Sequence, residues 1–189
     1  MTLYTDPSYS RVMVFIDYRN IFNSVRYLDD SLRMDLEALV KRLVGKRNLI
    51  GAYVFDARKM YTDGSDETIS MHNALRDQGF RVIARESIVY KEGHIEQKEV
   101  DVSMACEMLE HALNNHYDVA IVISGDRDFV PAIQKIQSAG KRVEVAAFDD
   151  VYNEESRRSA DRFYRLNEIP FMEMSSPYIH GDESDERSG

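Results

Sequence analysis

The chain has 189 residues, 43% hydrophobic and 30% charged, with a net charge of −9 from 33 acids against 24 bases. A length of ~100–200 residues suits one domain with a sizeable core; the composition excludes collagen, low complexity and wholesale disorder, and the acidity argues against a basic coat for nucleic acid. The longest apolar runs are far shorter than the ~20 residues of a bilayer span, no signal-peptide pattern opens the chain, and the single cysteine, Cys106, allows no internal disulfide, so a cytoplasmic setting is expected.

Residues 1–10 are polar and expected to be loosely held. Residues 11–17 (RVMVFID) form a continuous β-prone run ending in an acid, the pattern of a strand buried on both faces. A helix is expected from about residue 21, and residues 34–44 show helical apolar spacing up to the break at Gly45. Residues 49–55 (LIGAYVF) read as a second strand, 67–78 as a helix stopped by Gly79, and 80–84 as a third strand. Residues 85–98 fit a small excursion or hairpin. The spacing predicts a helix over 100–115 with an apolar stripe at Ala105, Met108, Leu109 and Ala112. Residues 119–123 (VAIVI) form another apolar strand, followed by SGDRDF, a helix over 129–138 and a strand over 143–148. A short helix over 154–161 and an edge strand near 163–166 complete a domain ending about residue 174, before a polar tail, 175–189. Strands alternating with helices predict a single-domain α/β fold, a parallel sheet with helices on both faces.

Ligands in such sheets sit beyond the carboxyl ends of the strands. Asp17 follows the first strand directly, with Asn20 three residues on; Ser124, Gly125, Asp126, Arg127 and Asp128 follow the strand at 119–123. Asp101 opens the long helix in line with Ala105 and Met108, towards the sheet. Four converging carboxylates repel and raise one another's pKa values unless a cation joins them. An all-oxygen set suits Mg²⁺ or Mn²⁺ and phosphate chemistry, with Asn20, Ser124 and the Gly125 backbone as polar helpers. Singly, each acid has a simpler explanation: a turn former after a strand, Asp128 as cap of the helix at Phe129, Asp101 as a first-turn acid favouring the helix dipole. Arg19 and Arg127 flank the acids and can contact phosphates, although solvation alone explains exposed arginines equally well.

Together these elements resemble the NYN domain, in particular its LabA-like group within the PIN-like nuclease superfamily. The resemblance rests on F-I-D-x-x-N at 15–20, K-x-V-D-V at 98–102, S-G-D-x-D-F at 124–129, P-x-(I/V) at 131–133, G-K-x-V at 140–143 and SADRFYRL at 159–166. It implies a Rossmann-like (PIN-like) sheet and a metal-dependent endoribonuclease. Its pocket would comprise Asp17, Asp101, Asp126 and Asp128 with Asn20, holding Mg²⁺ or Mn²⁺, and Lys98 and Ser124 match further motif positions. RNA would be cut by attack of an activated water, leaving a 5′-phosphate and a 3′-hydroxyl. Glu107 stands where many relatives carry Asp, and is left outside the site. Two other readings stay open: a regulatory RNA-binding or protein-interaction module with a vestigial acidic pocket, and a hydrolase of small phosphoesters. No membrane partner is expected; a homodimer is compatible with a domain of this size, though no decisive apolar seam stands out.

Overall fold

A computed structural model describes residues 9–61, 68–89, 98–170 and 172–174. Of the predicted loose start (1–10) and excursion (85–98), residues 1–8 and 90–97 lie outside the described residues, as does the tail 175–189. Residues 85–89 instead continue a strand and 98 opens a helix, because 85–89 pair with 57–61, and Ser10 is buried with its carbonyl accepting the Asn48 N–H. In chain order the elements are β1 (Arg11–Asp17), α1 (Tyr18–Leu28), β2 (Leu32–Met34), α2 (Leu36–Val44), β3 (Asn48–Tyr61), α3 (Ile69–Asp77), β4 (Arg81–Val89), α4 (Lys98–Leu113), β5 (Val119–Ile123), α5 (Val130–Ser138), β6 (Arg142–Ala147), α6 (Glu154–Ser159), β7 (Arg162–Arg165) and β8 (Met172–Met174). Six strands form one sheet in the order β4-β3-β1-β5-β6-β7, every pair parallel. β2 and β8 make a separate antiparallel ribbon. Nothing in the local pattern of three residues each announces that ribbon; the strands exist only by pairing with one another.

Alternation along β1 sends its side chains to two cores. Val12, Val14 and Ile16 pack with Ile21 and Val25 of α1, Leu39 and Leu43 of α2 and Leu75 of α3. Met13 and Phe15 pack with Val100, Met104 and Met108 of α4 and Ile133 and Ile136 of α5. Helices therefore cover both faces, as expected. Phe15 and Ile16 are fully buried, and burial of such side chains contributes ~1.5–3 kcal/mol each, which fixes β1 at the sheet's centre. Among the described residues no helix is long and apolar enough to cross a membrane.

Four elements differ from the sequence expectation. α1 begins at Tyr18 rather than near residue 21, because the Asp17 side chain accepts the Asn20 N–H and caps the helix at once. The face of α4 turned inward carries Val100, Met104, Met108 and Ala112, while Ala105 and Leu109 are half-buried and Val102 and Leu113 stay 63% and 73% exposed. Apolar residues surround this helix, so the sequence has no single stripe, and packing selects the ridge at intervals of four. β3 and β4 run on past the end of β1, pairing from Tyr53↔Arg81 to Tyr61↔Val89, although Asp56 and Arg58 interrupt the apolar run there.

Candidate metal centre at the carboxyl rim of the sheet

β1 connects onward to β3 and β4 on one side, and the chain then returns to β5 on the other. The strand order thus reverses between β1 and β5, the point at which α/β sheets open a ligand crevice. Asp17 ends β1 there and is 7% exposed. It lies two residues beyond Phe15 and so belongs to the α4 face. Its carboxylate accepts the Asn20 N–H (3.1 Å) and the Ser124 hydroxyl (3.0 Å). Ser124 Oγ in turn accepts the Asp126 N–H (3.2 Å), and Asn20 Oδ1 accepts the Gly125 N–H (3.1 Å). These bonds tie the β1–α1 turn to the β5 loop.

Gly125 is required by close approach. A Cβ there would lie 2.6 Å from the Val151 carbonyl oxygen and 2.9 Å from the Tyr152 nitrogen. The glycine brings the β5 loop against the segment after β6, where the Ser156 hydroxyl donates to the Asp126 carbonyl (3.1 Å). Asp126 is half-buried, and its side chain accepts the Asp128 N–H (2.9 Å), capping a short 3-10 turn at Arg127–Phe129. Asp126, not Asp128, is therefore the cap ahead of α5. Asp128 is exposed.

The electrostatics connect four acids from three parts of the fold. Burial pushes the Asp17 carboxyl up to about 6; its hydrogen bonds from Asn20 and Ser124 oppose the rise, and the charges of Asp101 and Asp126 add to it. Asp101, half-buried in the first turn of α4, is raised by burial and then by Asp126 and Asp128. Among the described residues, none of these four carboxylates has an ion-pair partner. A crowd of oxygen donors with no cation suits a hard divalent metal. Among the described residues, no three His, Cys, Asp or Glu side chains form a ready-made metal cage. An ion such as Mg²⁺, which keeps several of its own waters, would need few direct carboxylate ligands here.

The other predicted residues divide. Ser124 and Asn20 belong to the rim as described. Arg127 is exposed beside the acids. Arg19 lies 3.5 Å from buried Asp56, so its charge is already compensated. Lys98 begins α4, but its side chain lies outside the described residues. Glu107 pairs with His111 (3.5 Å). Sequence reasoning passed over Asp56 and His72, both buried, whose side chains meet at 3.0 Å. The signal existed: Asp56 follows the run LIGAYVF as Asp17 follows RVMVFI. Asp56 is one residue beyond Phe55, on the opposite face of the sheet from Asp17.

Comparison with known proteins bears on the family and the fold. The NYN domain family model matches residues 11–167. The low amplitude and bright protein LabA of Synechococcus elongatus is 26% identical over 171 residues, covering 85% of this chain and 86% of the relative. An uncharacterised protein of Methanocaldococcus jannaschii is 31% identical over 77 residues, 41% of this chain and 32% of that protein. A solved structure of a Vibrio parahaemolyticus protein of unknown function superposes with a TM-score of 0.70 at 20% identity, covering 90% of this chain and all of that one; at that identity the likeness concerns the fold.

Proposed function

The chain belongs to the NYN domain family, and from that premise we propose that it is a metal-dependent ribonuclease that hydrolyses RNA phosphodiesters at the rim between β1 and β5. One observation carries the reading: burial and the charges of neighbouring acids, Asp126 among them, raise the carboxyls of Asp17 at the end of β1 and Asp101 at the start of α4, and among the described residues no cation is paired with them. Asp17, Asp101 and Asp126 would hold Mg²⁺ or Mn²⁺, directly or through water, and Asp128 would add charge from outside. The bound ion would supply a nucleophilic water at neutral pH and stabilise charge on the phosphate. The protein's own part is orientation. Ser124 and the Asn20 N–H fix the Asp17 carboxylate, and the Gly125 N–H anchors the Asn20 carboxamide beside it. Asp17 must be ionised to bind a cation, so below about pH 6 protons compete with the ion for this carboxylate.

The test is Asp126→Asn assayed on single-stranded RNA with Mn²⁺. Loss of cleavage by the folded variant supports the assignment; undiminished cleavage removes it. A second reading, an RNA-binding or protein-interaction module with a vestigial pocket, draws on the missing ready-made cage among the described residues. Wild-type protein that binds RNA but never cuts it with Mg²⁺ or Mn²⁺ would favour that reading.

A further inference from the structure

Beyond the end of β1 the strands β3 and β4 continue as a wall beside the acidic rim. Arg85 stands on that wall. Asp17 is level with Phe55, and Phe55 with Ile83, so Arg85 lies two residues further along. That is about 7 Å past the level of Asp17 and about 10 Å to its side, from strand rise and spacing. Arg85 shares the face of Ile83, which packs in the α4 core.

Its side chain is exposed yet fixed. Nε and Nη2 both donate to the hydroxyl of Ser103, at 3.2 and 2.9 Å, and Ser103 is buried two residues after Asp101 in the opening turns of α4. One edge of the guanidinium is thus held by a neutral oxygen, and the Nη1 and outer Nη2 hydrogens form the second fork, which matches the oxygens of a phosphate. A hydroxyl leaves the positive charge uncompensated. Among the described residues Arg85 has no carboxylate partner, whereas on the other face of the sheet Arg19 and Arg58 face Asp56 and Glu86. In a chain of net charge −9, an oriented and unneutralised arginine beside the acids is placed to draw a polyanion to a rim that would otherwise repel it.

We propose that Arg85, positioned by Ser103, binds a backbone phosphate of the RNA strand on the α4 side of the rim, neighbouring the phosphate at the acids. The inference rests on the ribonuclease reading and adds a subsite to it. The strand would then enter along the β3–β4 wall and cross the carboxyl edge of the sheet towards β5.

The experiment is fluorescence anisotropy with a labelled oligouridylate in Ca²⁺, across a range of KCl concentrations, with the oligonucleotide's integrity checked on a gel. Arg85→Gln should weaken binding several-fold and reduce the slope of log affinity against log salt by about 0.7, the loss of one single-strand phosphate contact. Arg85→Lys should retain the slope. Ser103→Ala keeps every charge, so it should weaken binding two- to threefold, about the effect of loosening one ion contact, at an unchanged slope. Arg42→Gln, at an exposed position of α2 away from the rim, should change neither. Wild-type affinity and slope in Arg85→Gln overturn the subsite while leaving the ribonuclease reading intact. Wild-type affinity in Ser103→Ala overturns the positioning role. Wild-type protein that neither binds nor cuts RNA overturns the ribonuclease reading and the subsite together.

Discussion

Replacing Asp17 by Asn should make the metal-free protein more stable and inactive. Burial raises this carboxyl from its ordinary 3.8 to about 6. In the fold, ionisation therefore costs free energy that the unfolded chain does not pay. At about 1.4 kcal/mol for each pH unit, the cost is about 3 kcal/mol. The sign follows from the direction of the shift. The penalty is fully present above pH 6, shrinks as pH falls through that value and vanishes below 3.8. Asparagine carries no such charge. Its Oδ1 can accept the Asn20 N–H and its Nδ2 can donate to Ser124 Oγ, so the local bonds persist. Thermal unfolding in EDTA at pH 7.5 should show Asp17→Asn melting about 6–12 °C above wild type for a chain of this size. Near pH 4 the two curves should almost coincide. Melting of the variant at or below wild type at pH 7.5, or an equal gain at both pH values, would refute the argument that the buried charge is a cost awaiting a cation.

Two further outcomes follow from the same rim. At limiting Mn²⁺, metal-dependent cleavage should fall as pH drops through about 6, because a proton competes with the cation for Asp17; a pH–rate profile flat down to pH 5 at limiting Mn²⁺ would contradict this. Gly125→Ala places a methyl group against the Val151–Tyr152 backbone. It should cost about 1–3 kcal/mol, the usual penalty of overpacking, read as a lowered midpoint in urea, and should depress cleavage by shifting Asp126. A variant as stable and active as wild type would show that the loop yields freely.

The parts of this fold legible in the sequence are those whose cause is local. β1 and β5 carry uninterrupted apolar runs because both faces are covered, and an acid at the end of β1 and another three residues after β5 mark the rim. The extension of β3 and β4 was hidden, since its stability comes from pairing of the two strands rather than from apolar residues. The orientation of α4 was misread, since Val102 and Leu113 are as apolar as Met104 and Met108 and only packing distinguishes them. The acids themselves could be named from their places at strand ends and a helix start. What holds them could not: the bonds from Ser124 to Asp17 and from Gly125 to Asn20 join residues more than a hundred positions apart. Arg85 and Ser103 carry no local signal either, because their meeting depends on how β4 and α4 pack. Asp56 is different, a strand-end acid that meets His72 and Arg19 on the other face of the sheet, where the same sequence pattern has a packing role.

The central claim is that Asp17, Asp101 and Asp126 share one divalent cation. Anomalous diffraction from crystals grown with Mn²⁺ tests it without reference to any substrate. The account predicts a peak at the carboxyl edge between β1 and β5, with all three carboxylates bound to it directly or through one water, and its loss in Asp101→Asn. An ordered rim without a peak, in crystals where Mn²⁺ occupies other surface positions, would contradict it.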